Sequence, residues 1–442
     1  MKTGFAREII TPPRGLPLAG YFNPRPNRGV LDDLHVKVQL FQQGKVICGI
    51  VSFDLCALPR EMIADIRKEL RIHGIGFGDC LIFCNTHTHT GPYTGQLFGR
   101  NCSPAYTRTV VHKCVMAVER AWNEMSASIV RFGSVKGNPF AFNRRYYMRD
   151  GGVKTNPGKL NPDIVKPEGA VDREIGIMAI TQDARTVGIL VNIANHADTI
   201  GGDLVSADWP GQMEKTIQAA FGYEVPVVAL IGCAGNINHF DVKTRRNQTC
   251  YAEAKRIGAG YAKIVLSRLD KLADLKDGEL RVSRASATIP YRTLSAEQVA
   301  LAETVLKEKN SDRNGDLKSE DLAKGDRAAQ RFFADQLIRF GKSCSGKKRR
   351  FELLAFGFAD ELAIACLPGE PFTEIGMEIR ARSPFPRTLV VSHAMGRCGY
   401  VPLKDCFARG GYETLPVAGG GSHEDTAEIL VQCCLRVLGR SA

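Results

Sequence analysis

Leu81-Ile82-Phe83-Cys84-Asn85-Thr86-His87-Thr88-His89-Thr90-Gly91-Pro92 takes the chain from an unbroken apolar run into a polar, turn-forming segment. A short apolar run bounded by turn residues reads as a buried strand. At its end the His-x-His spacing puts two imidazoles on one side of an extended backbone, because side chains alternate with period two. Gly91-Pro92 then forces a turn and holds both rings at the strand's C-terminal edge. Open α/β sheets form their ligand sites at that edge.

The same punctuation recurs along the chain. KVICGIVSF (45–53), VGILVNI (187–193), VPVVALI (225–231), ELAIAC (361–366) and TLVVS (388–392) are β-branched runs that each give way to polar or Gly-rich sequence. Helical periodicity fills 60–73, 106–127, 252–273, 296–309 and 326–340, and 279–291 reads as additional strand. Strands alternating with helices predict an α/β architecture with a mixed β-sheet core flanked by helices. No internal repeat and no long linker are visible. The expectation is one domain over 1–442, with a helical insertion at about 294–350. Within that insertion Asp312, Asn314 and Asp316 imitate the start of a calcium loop. Leu317 and Ala323 stand where such a loop requires Gly and Glu, so an exposed connection between helices is expected instead.

Apolar residues make up 44% of the chain and charged residues 24%, a balance that excludes collagen-like, disordered and coiled-coil classes. No run approaches the roughly 18 apolar residues of a membrane span, and the first residues lack the apolar core of a signal peptide. Fourteen cysteines show neither paired CxxC nor zinc-finger spacing, and several lie in apolar runs. A reducing, cytoplasmic setting is therefore expected. The net charge of +12 is densest at Gly346-Lys347-Lys348-Arg349-Arg350. It suits an anionic substrate, or equally a solvated basic loop. No aromatic-interleaved basic motif points to nucleic acid.

Three further residues stand in the same relation to a strand end as His87. His196 follows VGILVNI, with Asp198 and Asp208 near in sequence as groups that can orient an imidazole. Glu370, in Cys366-Leu367-Pro368-Gly369-Glu370-Pro371-Phe372, is a carboxylate held stiffly between prolines. Tyr400, in Cys398-Gly399-Tyr400-Val401-Pro402, trails TLVVS. Each also has a plain reading: a hydrogen-bonded rim histidine, a charge at a helix N-terminus, a packing aromatic.

Taken in order, these blocks resemble the neutral (non-lysosomal) ceramidase family. Gly4-Phe5-Ala6-Arg7-Glu8-Ile9-Ile10-Thr11-Pro12-Pro13, Gly20-Tyr21 and Leu31-Asp32-Asp33-Leu34 look like its entry signature. His87-Thr88-His89-Thr90-Gly91-Pro92 is similar to its HTHSGP box, and Ser206-Ala207-Asp208 and Pro368-Gly369-Glu370 to two further blocks. The resemblance implies one catalytic Zn2+ held by His87, His196, Glu370 and Tyr400. It also implies a second tyrosine twelve residues beyond the ligand tyrosine, and Tyr412 stands there. His89 and the pair Asn143-Arg144 match the family's second box histidine and its Asn-Arg pair. The GDxSPN block matches Gly235-Asn236-Ile237-Asn238-His239-Phe240, with Asn238 in place of the family's serine. The family's C-terminal immunoglobulin-like domain has no counterpart in this sequence.

The reaction implied is hydrolysis of an amide or ester by water that the metal activates, on a small-molecule or lipid-like substrate other than long-chain ceramide. His89 would move the proton, Arg144 and Tyr412 would stabilise the oxyanion, and Asn238, Asn236 and Asn143 would contact substrate. A metal-dependent lyase and a non-catalytic binder are the competing readings.

Overall fold

The computed structural model describes residues 1–442 except 24, 96–101, 309–316, 318–320, 323, 418–419 and 440–442. The expected α/β architecture is present, and one strand plan occurs three times. In the first sheet Lys2–Ile9 pairs antiparallel with His35–Gln43, which forms a hairpin with Val46–Phe53. Helix Arg60–Ile72 then crosses over to Leu81–Asn85, which lies parallel to Val46–Phe53. The second sheet repeats this with Ile129–Lys136, Glu174–Gln182 and Arg185–Ile193, then helix Asp208–Phe221 and the parallel strand Val227–Ile231. The third uses Leu280–Pro290, Lys348–Phe358 and Leu362–Cys366, then helix Thr373–Arg382 and the parallel strand Arg387–Val391. A further helix closes each module and packs on its crossover helix: Pro104–Asn123, Tyr251–Leu266 and Thr426–Leu438. The repetition that the sequence does not display is a property of the backbone.

Alternation along the strands explains how the modules join. One face of each sheet enters a shared core, with Phe41, Ile50 and Ile82 from the first, Met178, Leu190 and Leu230 from the second, and Leu354, Phe356 and Ile364 from the third. The opposite faces of the second and third sheets are covered by their own helices, through Trp209, Met213 and Tyr261 in one and Phe372, Leu430 and Val431 in the other. Each such fully buried apolar side chain contributes roughly 1.5–3 kcal/mol. A buried ion pair also ties the first module to the second: Lys37 Nζ lies 2.7 Å from Glu214 Oε2, both almost inaccessible.

The segments between the first two strands of the modules, 10–34, 137–173 and 291–347, vary most. The expected insertion is the third of these. Its helices Ala296–Lys307 and Arg327–Ser343 pack on each other, and the second begins with Asp326 accepting a hydrogen bond from the Ala329 amide. The pseudo-calcium residues Asp312, Asn314 and Asp316 lie outside the described residues. The basic run is not simply a solvated loop. Strand Lys348–Phe358 starts inside it, and Arg349 is buried with its guanidinium 4.3 Å from the centre of the Tyr291 ring. None of the helices among the described residues is long and apolar enough to cross a membrane.

Candidate metal centre

The parallel strands of the three modules end close together, and the loops that leave them build one cleft. His87 is the second residue past Leu81–Asn85 and adopts φ 60°, a left-handed conformation uncommon for a residue with a Cβ. Asn85 holds that turn: its Oδ1 accepts the His87 amide at 3.1 Å, while its Nδ2 donates to the His393 carbonyl at 2.9 Å. His196 is the third residue past Arg185–Ile193, and Trp209 Nε1 donates to its carbonyl at 2.8 Å. Glu370 comes from the third module. The short parallel pair Glu370–Pro371 and Tyr400–Val401 sets Glu370 opposite Tyr400, so their side chains leave the same face.

These groups converge. His87 Nε2 is 3.5 Å and His196 Nε2 3.3 Å from the same Glu370 oxygen, and one donor atom from each of the three lies within 4.8 Å of the others. His87 Nδ1 donates to the Cys56 carbonyl at 2.6 Å, which fixes the tautomer and leaves the Nε2 lone pair facing the cleft. Burial opposes ionisation of Glu370, yet the neighbouring imidazoles hold its carboxyl well below the usual range. Burial brings His196 down to about 4, so its ring is neutral and fit to ligate. Tyr400 is pushed well above its ordinary value by burial, opposed by Arg144, whose guanidinium sits 4.9 Å from the centre of its ring. The donor set of two imidazoles and a carboxylate suits a borderline-soft divalent ion, and the Tyr400 phenol leaves the same face as Glu370.

His89 Nε2 faces His87 Nε2 at 3.3 Å, and its Nδ1 lies 3.2 Å from Asp198, which also accepts from Tyr21 at 2.9 Å. Asp198 therefore steers His89 and not His196. Asp208 serves neither ring. Its carboxylate accepts the Thr199 and Trp209 amides at 2.8 and 2.6 Å and braces the loop behind His196. The separate sequence blocks prove to be one scaffold. Thr88 and Thr90 hydroxyls donate to the Ser206 carbonyl at 2.7 and 2.9 Å, and Ser206 Oγ donates to Asp32 at 2.8 Å.

Of the neighbouring Asn-Arg-Arg residues, Arg144 is the one turned to the cleft. Its Nε donates to Glu413 at 2.8 Å, while its Nη2 is buried without a hydrogen-bond partner. Arg145 points away, into Glu168 and Glu413. Tyr412 packs 5.3 Å from Tyr400. Asn238 lines the polar side of the cleft with Arg144 and Asp198, its Nδ2 on Asn156 Oδ1 at 2.8 Å. Asn143 and Asn236 have their amides engaged by protein. Asn143 donates to the Ala170 carbonyl at 3.1 Å, and Asn236 donates to Glu374 at 2.9 Å while accepting the Thr373 amide.

Sequence reasoning passed over His393, Cys56 and Glu413. His393 stacks on His87 with ring centres 4.1 Å apart and has the same left-handed backbone, φ 52°. It follows TLVVS directly, so the strand-end rule that picked out His87 and His196 would have found it. Glu413 is buried between two arginines, and no local pattern announces it.

No family model matches the sequence, and no curated protein sequence matches it significantly. Solved structures do. The neutral ceramidase from Pseudomonas aeruginosa superposes with a TM-score of 0.73 at 14% identity, covering 99% of this chain and 74% of that one. The chain has the neutral ceramidase fold. A second structure, a ceramidase complexed with C2, gives a TM-score of 0.70 at 14% identity over 100% of this chain and 76% of that one. The ceramidase-like fold thus spans all three modules, with the cleft where their parallel strands end.

Proposed function

We propose that this protein is a metal-dependent hydrolase that cleaves an amide or ester bond, with zinc held by His87, His196, Glu370 and Tyr400. The observation that carries the reading is the meeting of donors from three different modules within 4.8 Å, one of them tautomer-fixed by a backbone carbonyl. A zinc ion bound there would polarise the scissile carbonyl and make water a nucleophile at neutral pH.

The chain's own groups supply the rest. With Asp198 3.2 Å from its Nδ1, His89 turns Nε2 to the cleft, where it serves as a base that accepts a proton and returns it to the leaving nitrogen or oxygen. The unpartnered Arg144 Nη2 is a buried donor waiting for an acceptor, suited to a developing oxyanion. One well-placed donor of this kind is worth about 3–4 kcal/mol. Tyr412, beside Tyr400, is the second such donor. Asn238 lines the cleft with its Nδ2 on Asn156 and its Oδ1 on the Phe240 amide, and it offers no hydroxyl chemistry, which supports a small or lipid-like substrate other than long-chain ceramide. Asn143 and Asn236, with both amides engaged, act as supports. The unpaired state of all fourteen cysteines supports a reducing compartment such as the cytoplasm.

The test is a screen of short and long N-acyl amides and esters on zinc-loaded protein in oxygen-18 water, with His196→Ala beside it. The expected result is solvent label in the carboxylate product. Because groups that merely orient ligands are worth 10–100-fold, the variant should lose zinc and at least about 100-fold in rate. Unsaturated, unlabelled product would replace the reading with elimination, and full metal content in His196→Ala would remove the ligand assignment.

A further inference from the structure

Cys56 is the one thiol lining the cleft among the described residues, and the proposed hydrolysis leaves it without a task. It leaves the hairpin strand of the first module at the station that His196 occupies in the second, three residues past the strand end. Its side chain is buried and lines the same cavity as His87, His89 and Glu370. Cys56 Sγ lies 3.9 Å from His87 Nδ1, and His87 Nε2 lies 3.3 Å from His89 Nε2. One donor atom from each of Cys56, His87 and His89 falls within 4.8 Å of the other two.

We propose that Cys56, His87 and His89 form a second, thiol-bearing metal position that overlaps the first and that selects thiophilic divalent ions, making them inhibitors. The overlap follows from His87. His87 belongs to both donor sets, and with Nδ1 on the Cys56 carbonyl at 2.6 Å its Nε2 is the nitrogen left to ligate in either. An ion drawn to the thiol takes that nitrogen away from His196 and Glu370, and occupies the His89 nitrogen that would accept the proton. The selectivity follows from the donors. Two imidazoles with a thiolate favour cadmium over magnesium or calcium, whereas the carboxylate and phenol of the first set are harder. On binding, the thiol proton leaves to solvent as the sulfur–metal bond forms, and no oxidation state changes. The overlap rests on the ligand assignment made above, while the existence of the thiol-bearing position does not.

The test is titration of the zinc-loaded protein with Cd2+, read by the ultraviolet thiolate-to-cadmium absorption and by activity, for the wild type, Cys56→Ser and Cys56→Ala. Either substitution keeps the backbone carbonyl that orients His87. The expected result is an absorption step of one equivalent that tracks the loss of activity, absent from both variants. Their inhibition should need at least about 100-fold more Cd2+, since an actual ligand outweighs the 10–100-fold of an orienting group. An equal absorption step in wild type and variants would overturn the proposal. If no substrate is ever found, the hydrolase reading fails but the absorption difference still decides this one.

Discussion

His87 and His393 occupy the same station in the first and third modules. Each is the second residue past the final parallel strand, each has a left-handed backbone, and their rings stack at 4.1 Å. The donors around them differ. His87 has Nδ1 on a carbonyl and Nε2 turned toward Glu370, whereas His393 Nε2 is buried with no hydrogen-bond partner and joins no donor set among the described residues. The second module has Cys233 at that station, packed in an apolar cluster. The strand plan fixes where a side chain emerges, and the loop that follows decides whether it ligates, stacks or packs.

The asymmetry can be broken directly. His87→Ala should purify with little zinc and lose at least about 100-fold in activity. His393→Ala should keep its zinc and lose no more than the 10–100-fold typical of groups that only position ligands. Elemental analysis together with initial rates separates the two. Equal metal loss in both variants would mean that the two stations are equivalent after all.

A second contrast concerns how the modules are held together. Apolar faces form the shared core, but between the first and second modules Lys37 and Glu214 meet in it as charges. Glu214→Gln leaves Lys37 buried without its counter-charge and should cost about 3–5 kcal/mol of unfolding free energy at neutral pH. Burial raises the Glu214 pKa, but Lys37 outweighs it and holds the carboxyl below its ordinary 4.5. A carboxyl depressed in the folded state stabilises above its unfolded pKa and loses that contribution as pH falls through the folded value. Urea unfolding at pH 7 and below pH 4 should therefore show the gap between wild type and Glu214→Gln narrowing in acid. A gap that widens in acid would contradict the pairing.

What the sequence disclosed follows the physics of burial. Runs such as VPVVALI are buried on both faces and so read as continuous apolar stretches, and helices with apolar spacing such as 60–73 were placed within a few residues. The half-exposed strand Ile129–Lys136 went unread because polar residues interrupt it, and Lys348–Phe358 because its start is a run of charges. The threefold plan was invisible because a buried strand demands only apolar character, not identity, and the intervening segments 10–34, 137–173 and 291–347 differ in length. His87, His196 and Glu370 were legible because each follows a strand end closely, whereas Tyr400 lies further beyond Arg387–Val391 and stood out through its spacing to Tyr412. Glu413 and the Asp198–His89 pairing were not, since they depend on contacts between segments distant in the chain. The role of 294–350 was equally unreadable. The structure packs Phe333 of that insertion 5.2 Å from Phe22 and 5.8 Å from Tyr412, which makes its second helix a wall of the cleft mouth.

The smallest effect concerns the hairpin turns of the three modules. The first uses Gly44, at φ 56°, where a missing Cβ makes the left-handed conformation cost nothing. The second and third turn on Asp183-Ala184 and Ala359-Asp360, all four at positive φ between 47° and 61°. Two-residue hairpins with both central residues left-handed favour Asp-Gly, since Asp tolerates this region and alanine does not. Ala184→Gly should therefore relieve a strain of roughly 1–2 kcal/mol. Offset by the roughly 0.5–1 kcal/mol that glycine's freedom in the unfolded chain costs, the net gain is about 0–1.5 kcal/mol. Gly44→Ala should lose a similar amount. Opposite shifts in the unfolding midpoint would show that one strand plan tolerates an ideal turn in one module and a strained one in another. A destabilised Ala184→Gly would mean that the Ala184 methyl makes a contact outweighing its strain.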